Sequence, residues 1–395
     1  MAQDTLLIVE PDFSGHRWRY AEWAAHACIE AGYPCLLVTA SENAAHPLAR
    51  RINAANLPRL KIAFVDPPAK MICTGRGALS YLRFFQYFRH VHQTISRERG
   101  VAFIVIPYVD YFFYVLPFLG SPFGATPWVG ITMRALFHHH QMGVRAPRRP
   151  LVNAVKAELF RRALRSSGMK TLLSIDPTLC DWCARATVRH GTAIDYLPDP
   201  SPDVIARDPS EARRRLQLTA GKHLLVYGAI TDKKGIRELF DALSRRRDAP
   251  TVIVAGEQDA DMRAYIEGAA ARLTPGPAIV DRFITEDFEQ DLFAACDAIW
   301  LGYKGHYGMS GVLVQAYRFK KPVIATADGL IGWFCRNGEM GPVIADLSSD
   351  TINHAVDQLF PHGPATPSIA AVSATHLLAQ NTLSQFKKTL QLAIA

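Results

Sequence analysis

Short apolar runs alternate with amphipathic stretches along the whole chain. Residues 5–10 read Thr-Leu-Leu-Ile-Val-Glu, the kind of run that forms a strand buried on both faces of a parallel sheet. A turn at 11–16 follows (Pro-Asp-Phe-Ser-Gly-His), then a helical pattern over 18–31 that Gly32 stops, then a second apolar run at 34–39. This is a strand–helix–strand unit with a glycine at its first turn. Further strands are predicted at 61–65, 102–106, 128–132 and 171–175, with helices at 78–97 and 151–165 among them. Strands that alternate with helices imply a parallel, doubly wound sheet.

The stretch 196–202, Tyr-Leu-Pro-Asp-Pro-Ser-Pro, admits no helix and reads as the link between domains. The pattern then restarts. Strands are predicted at 223–227, 251–255, 279–280, 298–301 and 322–325, and helices at 234–244, 288–295 and 312–319. Residues 376–395 carry a helical apolar stripe (Leu378, Leu383, Phe386, Leu390) beyond a Pro/Gly-rich patch at 362–367. The expected fold is α/β, with two Rossmann-like doubly wound parallel-sheet domains facing across a cleft. The N-terminal domain is 1–197 and the C-terminal domain 198–375. A terminal helix, 376–395, is a candidate to pack back across the hinge.

Composition agrees with this. A chain of 395 residues, 49% hydrophobic and 20% charged, has material for two cores. The net charge of +8 favours acidic partners (nucleic acid, anionic membrane or phosphorylated substrates) without choosing among them. Seven cysteines without a framework of short spacings point to reduced thiols. Cys180 and Cys183 form a lone CxxC in a helical stretch, a weak metal or redox signal. The N-terminus lacks the basic and apolar regions of a signal peptide. Pro107, Asp110 and Pro117 interrupt the most apolar segment, 101–120, which reads as a buried strand and a short core helix rather than a membrane span. A cytoplasmic protein is expected.

The segment richest in chemistry is 302–316, Gly-Tyr-Lys-Gly-His-Tyr-Gly-Met-Ser-Gly-Val-Leu-Val-Gln-Ala. A glycine-bearing loop follows a strand and opens a helix, whose start offers free N–H groups and a positive dipole end. Gly308, Ser310 and Gly311 allow a diphosphate to approach the main chain. The plainer reading is a helix start capped by the Ser310 hydroxyl.

Here a resemblance enters. From residue 224 to about 346 the chain resembles the donor-binding domain of the retaining GT-4 family (glycosyltransferase group 1), which has the GT-B fold. Residues 226–235 (Val-Tyr-Gly-Ala-Ile-Thr-Asp-Lys-Lys-Gly) are similar to the family's first-strand loop, and 252–257 (Val-Ile-Val-Ala-Gly-Glu) to its second-strand turn. Residues 291–297 resemble the short helix before the donor loop. Residues 321–326, followed by Gly329, resemble the next strand and turn. In the N-terminal half only Ser14-Gly15-His16 and the alternation match. The family's two donor-loop glutamates, one on the donor sugar and one on the ribose hydroxyls, fall at Tyr307 and Gln315. Its first-loop arginine falls at Ala229, and Lys234 stands at its lysine position beside Lys233. Gln315 can still hydrogen-bond a ribose.

The resemblance implies transfer of a sugar from a nucleotide-diphosphate sugar to an acceptor hydroxyl on a glycan, lipid-linked saccharide or similar molecule, with retention and without a required metal or other cofactor. Cations and helix amides would stabilise the leaving diphosphate, and positioning would do much of the rest. The candidate catalytic residues are Lys234, His16 and Tyr307. Gly228, Lys233, Lys234, Gly256, Arg282, Ser310, Gly311, Val312 and Gln315 are assigned to the donor. Gly15, His16, Arg134 and His138 are assigned to the acceptor side. The run His138-His-His140 is read as a solvated or acceptor-lining cluster with no carboxylate nearby, and His306 as a further polar candidate or a surface loop residue.

Residues 145–170 hold eight Lys/Arg and one acidic residue, Glu158, with Leu151, Val152, Val155, Leu159 and Phe160 as apolar positions. This segment is either a core-packing helix with a basic solvated face or a peripheral contact with the inner face of an anionic membrane. No nucleic-acid partner is expected. Two other function classes are compatible with the sequence: a nucleotide-sugar enzyme of another class, such as an epimerase, and a catalytically weak binding subunit. An epimerase needs carboxylates for proton transfer, which the donor loop lacks. A dinucleotide dehydrogenase is disfavoured because no complete GxGxxG follows a strand.

Overall fold

The structure is a computed structural model that describes residues 5–15, 17–68, 78–185, 192–201, 203–361 and 377–395. The chain forms two compact units. Unit 1 is Met1–His138, Arg148–Pro198 and Leu383–Ala395; unit 2 is His139–Pro147 and Asp199–Thr382.

Unit 1 is built on seven parallel strands: β1 (Thr5–Val9), β2 (Cys35–Thr39), β3 (Leu60–Phe64), β4 (Val101–Ile106), β5 (Trp128–Thr132), β6 (Met169–Ser174) and β7 (Ala193–Tyr196). Their order is β3-β2-β1-β4-β5-β6-β7, so the winding reverses between β1 and β4. The helices are α1 (Arg17–Glu30), α2 (Pro47–Ala55), α3 (Ala78–Glu98), the single turn α4 (Leu116–Leu119), α5 (Pro150–Ala163) and α6 (Pro177–Arg185). Each central strand is a run of apolar residues because helices cover both faces. In β1, Leu6, Leu7, Ile8 and Val9 are all buried.

Unit 2 repeats the plan with α7 (Pro209–Arg215), β8 (His223–Tyr227), α8 (Ile236–Leu243), β9 (Thr251–Ala255), α9 (Ala260–Ala269), β10 (Ala278–Val280), α10 (Glu286–Ala295), β11 (Ala298–Leu301), α11 (Gly311–Arg318), β12 (Val323–Thr326), α12 (Gly329–Gly338), β13 (Val343–Ile344) and α13 (Ser349–Leu359). Its six parallel strands run β10-β9-β8-β11-β12-β13, reversing between β8 and β11. The core joins Leu224 and Val226 of β8, Val252 and Val254 of β9 and Trp300 of β11 to Leu239, Phe240 and Leu243 of α8. Salt bridges from Arg215 to Asp291 and from Arg213 to Asp297 hold α7 against α10 and the strand behind it.

Three elements differ from the sequence expectation. The helix expected over 234–244 begins at Ile236; Asp232–Lys234 is a separate 3-10 turn, and Gly235 between them has φ +66°. The tail is not one helix from 376. A 3-10 turn at Leu377–Gln380 precedes α14 (Leu383–Ile394), and the Asn381 side chain at the break donates to the Asp199 carbonyl at 2.8 Å. His376 lies outside the described residues. Tyr196, read as the start of the link, closes β7, an edge strand too short and half-exposed for an apolar run to reveal it.

Helix α14 packs on α1. Phe386 is buried against the Tyr20 and Trp23 rings, and Lys387 pairs with Glu30 at 2.5 Å. Among the described residues no helix is long and apolar enough to cross a membrane.

Candidate functional site

Ligands in open α/β sheets bind beyond the carboxyl ends of the strands, where the strand order reverses. In unit 2 that point lies between β8 and β11, and the loops that leave these strands meet there. The Lys304 amide donates to the Lys233 carbonyl at 2.8 Å. The Trp300 indole N–H donates to the Lys234 carbonyl at 2.8 Å. A methyl group on Gly235 would lie 2.2 Å from the Gly302 carbonyl oxygen, so only glycine lets the two backbones approach this closely. Gly256, assigned to the donor from sequence, has the same kind of task. At φ +139°, its Cβ would sit 2.0 Å from the Gly228 oxygen, so it lets the β9 turn pack under the β8 turn.

These contacts fix Lys234 at the strand ends. Its Nζ donates to the Tyr227 carbonyl at 2.8 Å and to the Tyr303 hydroxyl at 2.7 Å. It lies 4.2 Å from the centre of the Tyr303 ring. An ammonium has three donors, and two are used. Among the described residues no carboxylate pairs with Lys234. The neighbouring Lys304 behaves differently, pairing with both Asp232 and Glu238. Lys234 is therefore a half-buried cation with a donor to spare.

The donor loop closes on the same point. Tyr303 packs against the His306 ring at 5.6 Å, and His306 Nε2 donates to the Met309 carbonyl at 3.1 Å, one residue before Ser310. Burial, reinforced by the nearby Lys234 charge, pushes the His306 pKa below the usual histidine range, so the ring is neutral at pH 7. Ser310 occupies the N-cap position of α11 with extended backbone, yet its hydroxyl makes no capping bond. The plainer reading of Ser310 as a cap therefore does not hold. Helix bonds start with the Leu313 and Val314 amides, which donate to the Ser310 carbonyl. The Gly311 and Val312 amides donate to nothing among the described residues, leaving orphan donors at the positive end of the helix.

Gln315 lies on α11, and its Nε2 donates to Glu289 Oε1 of α10 at 2.7 Å. The Tyr227 hydroxyl donates to the same oxygen. Tyr227 thus joins the two ends of the site, with its carbonyl on Lys234 and its hydroxyl on Glu289.

The other donor-side candidates are peripheral. The Lys233 side chain is exposed. Arg282 is exposed and lies over the Phe288 ring at 4.7 Å, with no bond to either loop. Tyr307 is half-buried, and its main chain is what the fold uses: its carbonyl accepts from the Leu330 amide at 3.1 Å, and its backbone packs against Gly329.

In unit 1, Gly15 lies in the exposed turn after β1 with φ +62°, and His16 is outside the described residues. Arg134 is exposed, with its guanidinium over Tyr108. Asp110, held by Thr132 and the Met133 and Arg134 amides, anchors that loop. The reading of His138 as a solvated or acceptor-lining residue is corrected. It is fully buried, and its Nε2 lies 3.0 Å from Asp176 and 3.1 Å from Thr178. The carboxylate arrives from the loop after β6, 38 residues away, where no local pattern shows it.

Sequence reasoning missed Glu10 altogether. This residue follows β1, at the reversal point of unit 1, and is fully buried. Its Oε1 accepts from the Tyr111 hydroxyl at 2.7 Å, and Arg17 donates to Tyr111 in turn at 2.8 Å. Burial pushes the carboxyl from 4.5 up to about 8 against these bonds. It also missed Tyr227, Tyr303 and Glu289. Only the polar identity of Glu289 and Gln290 inside an otherwise amphipathic helix gave any signal.

Comparisons with known proteins agree with this geometry. Residues 221–362 match the profile of the family described as glycosyl transferases group 1. Among solved structures, sucrose-phosphate synthase from Thermosynechococcus elongatus superposes with a TM-score of 0.65 at 13% identity, covering 99% of this chain and 95% of that one. HepE from Anabaena, solved in complex with UDP and glucose, gives 0.64 at 15% identity, with 99% of each chain covered. The lipopolysaccharide outer core galactosyltransferase WaaB gives 0.61 at 13% identity, again with 99% of each chain. At such identities the likeness is one of fold. No curated protein matches in sequence. The orphan amides of α11 and the Lys234 ammonium both fall within the span that matches the profile: residues 221–362 resemble the glycosyl transferases group 1 family, and the chain has the two-domain GT-B fold of the solved glycosyltransferases it superposes on.

Proposed function

We propose that the protein transfers a sugar from a nucleoside-diphosphate sugar to an acceptor hydroxyl, with retention and without a bound metal. One observation carries the reading: Lys234, in the turn after β8, is a half-buried cation with no carboxylate partner among the described residues, and it bonds Tyr303 of the donor loop that leads into unsatisfied helix amides. A diphosphate leaving group needs positive charge fixed in place before the bond breaks, and such a site supplies it without reorganisation. Retention rests on the family resemblance. HepE, solved with UDP, makes uridine diphosphate the first nucleotide to test.

A thermal-shift panel of UDP, GDP and ADP, with and without EDTA, tests the reading. A ligand that binds only the folded state at 100 times its Kd stabilises by about 2.7 kcal/mol. One nucleotide is expected to raise the melting midpoint by several degrees, equally with chelator present. If none of the three moves it, the donor assignment is wrong. Within the site, Tyr303→Phe keeps the ring beside Lys234 and removes the hydroxyl. Nucleotide affinity by calorimetry is expected to fall by roughly 3–10-fold with little change in melting midpoint.

For the acceptor we propose a glycan or lipid-linked saccharide met at an anionic membrane surface. Within 145–170 the core-packing reading holds for Ala157, Phe160 and Ala163 of α5 and for Leu164 and Met169 beyond it. Leu151 is 83% exposed and Val155 59%, next to Phe118 of α4 at 71%. Arg148, Arg149 and Lys156 are exposed on the same segment. A basic rim around exposed apolar side chains suits an anionic lipid interface. Arg145 is not part of this face, because it pairs with Asp328 and the Ala345 carbonyl in unit 2. Leu151→Glu with Val155→Glu is expected to cut co-sedimentation with phosphatidylglycerol vesicles several-fold. Unchanged binding would remove this face from consideration.

A further inference from the structure

We propose that a cavity at the carboxyl ends of β1, β2 and β3 binds one uncharged pyranose ring of the acceptor, and that Glu42 sets a preference there for neutral over acidic sugars. The inference rests on the transferase reading above and names an acceptor class for it.

The cavity measures about 280 Å³ and belongs wholly to unit 1. Ligand sites commonly run from about 300 to 1,000 Å³, so this one is the size for a single sugar ring rather than a nucleoside diphosphate. Its walls are tied together. Asn43 Nδ2, in the turn after β2, donates to the Pro11 carbonyl in the turn after β1 at 2.9 Å. The Ser41 amide donates to Asp66, in the turn after β3, at 2.8 Å. The Phe84 ring of α3 lies 4.3 Å from the Tyr111 ring. A site braced in this way has little left to order when a ligand arrives.

The lining is amphipathic, as a sugar is. Pro11, Pro67, Phe84 and Tyr87 form an apolar wall. The Tyr87 hydroxyl is spent on the Val65 carbonyl at 3.0 Å, so Tyr87 adds no free donor. Asp12, Glu42 and Arg83 supply the polar groups. A pyranose brings C–H faces for the wall and hydroxyls for the carboxylates, which only accept and bind such donors in charge-assisted bonds.

Charge decides the class. Asp12 is paired with Arg17. Burial works against the Asp12 carboxylate, but the Ser14 amide and Arg17 hold its pKa below the usual range, so it is ionised at pH 7. Glu42 is exposed and forms no ion pair with any described residue. With Arg17 counted, the two carboxylates and the Arg83 guanidinium sum to zero, so the chain's surplus of +8 is not expressed here. An acidic sugar would bring its charge into a lining of two carboxylates and one guanidinium, a repulsion that a neutral ring escapes.

The test is saturation-transfer NMR on the full chain with methyl glucoside, methyl galactoside and methyl mannoside against methyl glucuronide. UDP, GDP and ADP binding is measured by calorimetry on the same sample. At least one neutral hexoside is expected to bind with a Kd on the order of 1 mM, ~10-fold or more tighter than the glucuronide. Glu42→Gln is expected to weaken that hexoside by ~3–10-fold, and Glu42→Lys to bring the glucuronide within ~3-fold of it. Nucleotide binding without hexoside binding, or with the glucuronide bound equally well, would overturn the inference and leave the donor reading standing. Hexoside binding without any nucleotide would overturn the donor reading, and the acceptor role of the cavity with it. Hexoside binding that neither Glu42 variant changes would place the sugar elsewhere and overturn the inference. Should the Glu42 variants fail to fold by circular dichroism, Arg83→Ala decides instead: it must weaken the hexoside, and unchanged binding overturns the proposal.

Discussion

Replacing Lys234 by alanine is expected to lower kcat by roughly 10²–10³-fold, the usual cost of removing one fixed charge-stabilising group from a transition state. Structural damage should be small. The main-chain bond from the Trp300 indole to the Lys234 carbonyl survives in alanine, and the side chain is only half-buried. No carboxylate among the described residues loses a partner, since none of them pairs with this ammonium. The melting midpoint should therefore stay within a few degrees while turnover collapses. Lys234→Arg should not rescue. The ammonium is a compact point donor seated between the Tyr227 carbonyl and the Tyr303 hydroxyl, whereas a guanidinium is a planar fork that cannot use both in that space. Steady-state kinetics with matched circular dichroism decide the matter. Turnover within three-fold of wild type would remove Lys234 from the leaving-group role. A parallel fall in the melting midpoint would point to the loop rather than the charge.

What the sequence could show and what it could not divide along a physical line. Strands such as His223–Tyr227 and Thr251–Ala255 were legible to the residue, because burial on both faces leaves an unbroken apolar run with a glycine after it. The donor loop was legible for the same reason: glycine, strand end and helix start are local features. Lys234 was found, but in a helix. The 3-10 turn that holds it depends on Gly235 approaching the Gly302 carbonyl, a contact between loops 67 positions apart. His138 was misread because its carboxylate, Asp176, comes from another strand's loop. Glu289 was invisible because its partners Tyr227 and Gln315 lie on other elements. Periodicity reports which face a side chain buries. It does not say which polar group waits on the far side, and that is where most of this site's chemistry lies.

Glu10→Gln is expected to stabilise the protein in alkaline solution and to do little in acid. The Glu10 carboxyl is fully buried at the end of β1, and burial raises it from an ordinary 4.5 to about 8, outweighing the Tyr111 hydroxyl, the Asp12 amide and the Arg17 charge that favour ionisation. The sign follows from proton counts. Between these two values the folded state keeps a proton that the unfolded chain has released, so stability is fully present below about 4.5 and is lost as the pH rises through about 8. At about 1.4 kcal/mol per pH unit, the loss is at most ~5 kcal/mol. Glutamine has the shape of the protonated acid, and its carbonyl can still accept from the Tyr111 hydroxyl, which burial alone holds above the usual tyrosine range. The variant and the wild type should therefore melt together near pH 5. The variant should hold its midpoint by pH 9, where the wild type falls, with each kcal/mol worth about 2–4 °C for a unit of this size. Melting curves followed at both pH values measure the difference directly. Parallel curves from pH 5 to 9 would mean that Glu10 ionises in place, with water or a cation reaching Oε2. The strand end beneath Gly15 would then hold a fixed negative charge instead of a neutral acid, and the electrostatics of unit 1 at its reversal point would have to be drawn with the opposite sign.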